Sequence, residues 1–165
     1  MEFKIRNIDI VKDKDFILDC HCKTNFASDS EWAVQMGYEA YARKWFSTNQ
    51  PNEFFHALIE SMADPRNIAV VCETDHEYVG YLWVRFTDVP EYNLTIAEVD
   101  DIVIVDKWRK KGFAAQLLEY AEKRCKQAGA TVLRSATGIN NIASLNLHQK
   151  AGFKIYRVEL RNYYK

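Results

Sequence analysis

Ile102-Val103-Ile104-Val105-Asp106-Lys107-Trp108-Arg109-Lys110-Lys111-Gly112-Phe113-Ala114-Ala115 is the stretch on which the reading of this chain turns. Four β-branched apolar residues in succession make a buried strand that ends at Val105. A short basic loop follows, and a helical pattern begins near Gly112. The first turn of a helix has backbone N–H groups without intrahelical partners and carries partial positive charge. A pyrophosphate docks naturally at such a place. Gly112 removes a side chain where a phosphate approaches closely. Ala114 keeps the next inward position small, and Arg109, Lys110 and Lys111 add positive charge beside the same turn. By itself the segment fits an ordinary strand-to-helix turn equally well, since short glycine motifs are common.

The flanking sequence gives the turn a setting. Downstream, residues 112–128 place Leu117, Leu118 and Ala121 on one helical face, and Gly129 is a natural stop. Residues 131–136 read as a strand, 141–151 as a helix, and 153–164 as one long strand or two. Upstream, residues 94–105 form a long strand, and 68–73 pair with 78–86 in a hairpin around a turn at 74–77. Residues 2–8 alternate as a first strand. Residues 14–25 are helical, with Phe16, Ile17 and Cys20 at the right spacing. Asp29 or Ser30 caps the next helix. Two helices follow over 32–48 and 52–63, separated by Pro51 and followed by Pro65. Tyr41 and Trp45, four apart, share a packed face. This order predicts an α/β (α+β) class: a central mixed β-sheet flanked by helices, with βαβ crossovers toward the end. No repeat, low-complexity tract or linker divides the sequence, so residues 1–165 are expected to form a single domain.

Composition narrows the function. The chain has 165 residues, enough for a full hydrophobic core, with 48% hydrophobic and 27% charged residues and a formal net charge of -1. Nucleic acid and acidic membranes call for a basic excess, so no nucleic-acid partner and no membrane partner are expected. No apolar run approaches the roughly 18–20 residues of a membrane span, and the start of the chain has no signal-peptide core. A cytoplasmic location follows as the default. Cys20 and Cys22 bracket His21, but this spacing lacks the gap of a usual zinc knuckle, and no second pair follows. Free thiols and no metal are therefore expected.

Two blocks then carry a resemblance. Arg109-Lys110-Lys111-Gly112-Phe113-Ala114 matches the Q/R-x-x-G-x-G/A signature of the GNAT acetyltransferases, preceded by the hydrophobic strand that family requires. Asn141-Ile142-Ala143-Ser144-Leu145-Asn146-Leu147-His148-Gln149-Lys150-Ala151-Gly152-Phe153 resembles the family's second block, N-x-x-A/S-x-x-L-Y-x-K-x-G-F. Together they cover roughly residues 98–154. The resemblance implies the GNAT-like acyl-CoA N-acyltransferase fold and acetyl-CoA as cosubstrate. Backbone groups of Ile102, Val103 and Ile104 would bond the pantetheine arm like an added strand. N–H groups within Arg109, Lys110, Lys111, Gly112, Phe113 and Ala114 would hold the pyrophosphate, and the Asn141 side chain would contact the cofactor near its reactive end.

The implied activity is transfer of an acetyl group from acetyl-CoA to a primary amine of a small molecule or peptide, by direct attack in a ternary complex. The ammonium must lose a proton, the thioester oxygen must be stabilised and the sulfur must leave; proximity supplies much of the rate. Many relatives carry an acidic pair at the position of Asp100 and Asp101. Its first member resembles the residue that accepts the amine's proton, so Asp100 is the expected base. The alternation of a strand puts the two carboxylates on opposite faces, with Glu98 on the side of Asp100. Another family position for a base is filled by Ala136, which cannot serve. His148 stands where most relatives have the tyrosine that protonates the leaving thiolate; a histidine suits proton transfer near neutral pH, and it can also simply bond the sulfur or pack. Tyr156, Tyr163 and Tyr164 are fallback donors. On the acceptor side, Asp29, Glu31 and Trp32 combine carboxylates with an aromatic face, which suits a cationic amine. A non-catalytic acyl-CoA sensing module, or an acyltransferase with another donor or acceptor, is the rival reading. Dimers are common in the family, which leaves a homodimer open.

Overall fold

In the computed structural model, which describes residues 3–28, 31–75, 77–162 and 164, the apolar alternations become a five-stranded sheet. The elements are β1 (Lys4–Asn7), α1 (Lys14–Ser28), α2 (Glu31–Met36), α3 (Tyr38–Phe46), α4 (Gln50–Ser61), β2 (Ile68–Glu73), β3 (Tyr78–Val89), β4 (Leu94–Ile104), α5 (Phe113–Gln127), β5 (Val132–Ser135) and α6 (Ile142–Lys150). The strands lie in the order β1-β2-β3-β4-β5. The first three pairings are antiparallel, and β4 and β5 run parallel. The sheet is therefore mixed, because α5 returns the chain to the edge of β4 in a βαβ unit.

Each face of the sheet carries its own core. Alternation on β3 sends Leu82, Val84 and Phe86 to one face, where they meet Ala97, Val99, Leu117, Leu118 and Ala121. Tyr81 and Trp83 go to the other face, against Ile17, Leu18, Tyr41, Trp45, Phe55 and Leu58 of α1, α3 and α4. Leu117 and Leu118 are fully buried, each contributing roughly 1.5–3 kcal/mol. Burial pushes the free thiols of Cys20 and Cys72 up to about 12 and that of Cys125 to about 11, so all three stay protonated and unreactive at neutral pH. No helix among the described residues is long and apolar enough to cross a membrane.

Several expectations are corrected. The helix expected over 32–48 is two, α2 and α3, broken at Gly37 with φ 78°. Pro51 does not separate helices; it sits in the first turn of α4, where its missing N–H leaves nothing unpaired. The strand or strands expected over 153–164 do not form: residues 153–162 and 164 have no regular structure. Ile155, Tyr156 and Leu160 are 68%, 98% and 89% exposed. Alternation makes a strand only where a ladder receives it, and no described strand pairs with the outer edge of the four-residue β5. Asp29, Ser30, His76 and Tyr163 lie outside the described residues.

The feature that positions the site is a bulge. Trp83 lies opposite Asp101 and Val84 opposite Val99, so Asp100 is the extra residue in β4. The insertion shifts the phase of the strand. Ala97 and Val99 face the α5 core, and beyond the bulge Ile102 and Ile104 return to it. Asp101 consequently turns toward α1 and bonds Tyr81 and His21. Asp100 bonds Arg85, which shares its β3 face with Tyr81 and Trp83. The two carboxylates therefore share the α1 face instead of pointing to opposite faces.

Candidate functional site

The strand that leads into the basic turn is half free. β5 pairs with β4 only from Ile96 to Val99, and no described strand covers that side of residues 100–104. Val105 N–H donates to the Val79 carbonyl at 3.0 Å, so by alternation the backbone of Val103 also faces β3. Ile102 and Ile104 then face the open edge, and the expected set of three narrows to these two. The Ile104 carbonyl accepts a hydrogen bond from Arg109 Nε at 3.0 Å. Gly80 seats the edge from behind: a Cβ there would stand 2.0 Å from the Val103 carbonyl oxygen.

The turn itself is a row of unpaired donors. A short 3-10 turn, Asp106–Trp108, follows β4, and Lys110 and Gly112 both take positive φ, 59° and 83°. Gly112 caps α5 without a side-chain hydrogen bond. Among the described residues, the N–H groups of residues 110–115 donate to no protein acceptor. The side chains behave differently from one another. Arg109 pairs with Asp106 at 2.9 Å, and the Lys111 ammonium lies 4.4 Å from the centre of the buried Trp108 ring. The side chains of Phe113 and Ala114 pack in the α5 core, so what they present at the turn is backbone.

The acidic pair divides into an ion pair and a buried triad. Asp100 is held at two points by the Arg85 guanidinium, both contacts at 2.6 Å. Burial raises its carboxyl above the usual carboxylate range, although Arg85 opposes this. Glu98 is occupied by Arg134 at 2.6 Å. Asp101 is buried and accepts from Tyr81 Oη and from His21 Nδ1, the latter at 2.6 Å. His21 Nε2 lies 3.1 Å from Asn25 Nδ2, and the imidazole stacks on Phe54 at 3.5 Å between ring centres. Burial, and then Asp101, hold the Tyr81 phenol far above its usual range. Sequence reasoning missed His21 and Tyr81 as members of this group. The signal was present: Ile17, His21 and Asn25 repeat every four residues, the spacing of one helix face.

The second block places its residues around α6. Asn141 caps that helix, its Oδ1 accepting from Ser144 N–H at 3.3 Å. His148 is 8% exposed. Its Nδ1 lies 2.8 Å from the Ser144 carbonyl oxygen, which can only accept. Nδ1 therefore carries the hydrogen, and in the neutral ring Nε2 carries the lone pair. That Nε2 is buried and has no hydrogen-bond partner among the described residues. Glu31 and Trp32 form the exposed first turn of α2. Trp32 is 47% exposed and leans on Tyr41 at 6.0 Å. α2 packs chiefly on α1 and α3, and it is His21 of α1 that the structure brings beside Asp101. The end of α1 also meets the loop before α6, since a Cβ on Gly138 would lie 2.4 Å from the Ser28 carbonyl oxygen.

Comparison with known proteins bears on the family and the fold. The model of the acetyltransferase (GNAT) family matches residues 32–153. An uncharacterized N-acetyltransferase of Bacillus subtilis (strain 168) is 36% identical over 70 residues, 40% of this chain and 45% of that protein. A streptothricin acetyltransferase of Escherichia coli is 32% identical over 89 residues, 54% of this chain and 48% of the relative. These matches thus span about half the length of those curated relatives. A predicted acetyltransferase of Clostridium acetobutylicum, solved with acetyl-CoA, superposes with a TM-score of 0.71 over 97% of this chain and 96% of its own, at 11% identity. An aminoglycoside acetyltransferase from an uncultured soil metagenomic sample gives 0.66 at 17% identity, over 100% of both chains. At such identities the likeness shows the fold.

Proposed function

Because the chain belongs to the acetyltransferase (GNAT) family, we propose that it is an acetyl-CoA-dependent N-acetyltransferase that acetylates a primary amine of a small molecule or peptide in a ternary complex. The observation that carries this reading is the continuity of two binding surfaces. The free edge of β4 leads into the N–H groups of residues 110–115, which donate to no acceptor among the described residues. A pantetheine arm needs an extended edge of amide donors and acceptors, and a pyrophosphate needs convergent N–H groups. At Gly112 a Cβ would meet only the far end of Gln116, at 3.9 Å, so the turn is open to an approaching phosphate. Bound acetyl-CoA would supply an activated acetyl thioester.

The chain's own residues take the following parts. Ile102 and Ile104 bind the arm through their backbone, with Arg109 closing the end of the edge. Residues 109–114 hold the pyrophosphate. The Asn141 carboxamide keeps its Nδ2 for the cosubstrate, since Oδ1 is spent on the cap. His148 offers a buried lone pair at Nε2 when neutral and a proton there only as imidazolium. It therefore acts on the leaving sulfur as a hydrogen-bond acceptor toward the thiol, or as an acid after charging. Asp100 stands at the bulge as a carboxylate paired with Arg85, and it meets an ammonium only by releasing that partner. Glu31 and Trp32 present a carboxylate and an aromatic face at the acceptor rim, which suits a cationic amine. The names of the streptothricin and aminoglycoside acetyltransferases among the relatives point the same way.

A thiol-release assay with acetyl-CoA and a panel of amines tests the reading. Release that depends on an added amine supports it. Tight acetyl-CoA binding without release for any amine would instead favour a sensing module, the reading favoured by the two-point tether of Asp100 to Arg85.

A further inference from the structure

This inference rests on the N-acetyltransferase reading and names its proton acceptor. We propose that His21, positioned by Asp101, takes the proton from the acceptor ammonium, and that Tyr81 fixes the Asp101 carboxylate for that purpose. Three separate segments converge to build the group: α1 supplies His21 and Asn25, β3 supplies Tyr81 and β4 supplies Asp101.

A buried carboxylate must be matched by donors, and Asp101 has two, Tyr81 Oη and His21 Nδ1. Because His21 Nδ1 donates, its Nε2 holds the lone pair in the neutral ring. Asn25 Nδ2 donates into that lone pair at 3.1 Å. Proton uptake at Nε2 creates an imidazolium beside a carboxylate, and turning the Asn25 carboxamide over converts donor into acceptor. Every bond in the chain thus survives the change of charge. The logic is that of a base oriented by a buried acid.

Position and access agree. The bulge at Asp100 falls just where β5 stops pairing with β4, and the same irregularity turns Asp101 toward α1. α1 packs against β4, the strand that leads into the proposed cosubstrate loop. The His21 side chain is 18% exposed, and the Asn25 carboxamide must swing away from Nε2 for an ammonium to meet it. Asp100 would first have to break its two contacts with Arg85. The groups that meet His21 are Asp101 from β4, which also holds Tyr81 of β3; Asn25 on its own helix, where the buried thiols of Cys20 and Cys22 are its chain neighbours; and the uncharged Trp45 and Phe54 from α3 and α4, with the Asp100–Arg85 pair beyond Asp101.

The step balances. His21 Nε2 takes one proton from the ammonium and later returns it to solvent. The freed amine nitrogen forms the N–C bond to the acetyl carbonyl as the C–S bond breaks, and the amine's second proton ends on the departing sulfur.

The test uses the full chain and two variants, His21→Asn and Asp101→Asn. Asparagine at position 21 keeps a donor near Nδ1 and deletes Nε2. For His21→Asn the expected result is a fall in kcat/KM of roughly 10²- to 10⁴-fold, with loss of the acid limb of its pH profile and unchanged acetyl-CoA affinity by calorimetry. Added imidazoles should restore rate in proportion to their basicity, which filling a structural gap would not do. By ¹⁵N NMR, His21 should carry its proton on Nδ1, and Asp101→Asn should redistribute it. A retained acid limb in His21→Asn, or a proton on Nε2 in the free protein, overturns the assignment while leaving the acetyltransferase reading intact. Absence of thiol release by the unmodified chain with every amine removes both.

Discussion

Replacing Gly80 with alanine would strike the proposed cosubstrate edge from behind. The new Cβ would stand 2.0 Å from the Val103 carbonyl oxygen and 2.9 Å from Ile104 Cδ1, whereas ordinary contact begins at 3.4 Å. The obstacle is backbone, so β3 and β4 must separate locally by about 1.4 Å at this point. Overpacking usually costs about 1–3 kcal/mol, and a backbone clash in a paired strand belongs at the upper end. At roughly 2–4 °C per kcal/mol for a chain of this size, the melting temperature should fall by about 6–12 °C. The displacement also moves Ile104 and loosens the bond between Val105 N–H and the Val79 carbonyl. Acetyl-CoA affinity, measured by calorimetry below the melting transition, should weaken by about tenfold, the equivalent of losing about one good hydrogen bond. A Gly80→Ala protein that melts within 2 °C of the parent, roughly the effect of 1 kcal/mol or less, and binds acetyl-CoA equally well would refute both the close approach and the edge.

Gly112→Ala forces a φ of 83° on an L side chain, costing ~1–2 kcal/mol; acetyl-CoA binding should weaken further than stability does, read by calorimetry beside a thermal melt. His148→Phe should lower kcat much more than it weakens acetyl-CoA binding, and unchanged turnover across the pH range would remove His148 from the chemistry. Asp13 is buried; burial raises its carboxyl, but two bonds from Arg6, the Asp9 N–H and the Tyr78 hydroxyl outweigh it and hold it below the usual range. Asp13→Asn breaks that pair at a cost of about 3–5 kcal/mol. The deficit should be complete at neutral pH and shrink as the pH falls below about 4, where the carboxyl of the unfolded chain takes up a proton while the native one, held lower, still does not. Melting curves of both proteins from pH 7 to pH 3 check the sign; a constant difference across that range would contradict it.

Much of the fold was legible because the apolar period decides it. The strand over 68–73 has the expected bounds, and the long strand and helix around Gly112 fall within a residue or two. The strand predicted beyond residue 153 had the right period but no ladder to join, and a period carries no information about partners. At the site, the turn could be read locally because its chemistry is backbone chemistry compressed into a few residues. The acidic pair could not. Strict alternation separates Asp100 from Asp101, and only the pairing with β3 reveals the extra residue that puts them together. His21 lies eighty positions from Asp101, so its role depends on long-range packing that no local pattern announces.

The extra residue in β4 acts on the strand as a half-wavelength delay acts on a wave. Before it, odd-numbered side chains enter the α5 core; after it, even-numbered ones do. The two segments are thereby out of step with each other while each remains in step with β3. Deleting Asp100 would therefore do more than remove a carboxylate. It would restore one continuous rhythm in which Val99 and Asp101 are neighbours and Ile102 and Ile104 keep both their partners on β3 and the α5 face, while the bend in the strand is lost. Downstream of the bulge, the address of every group depends on parity.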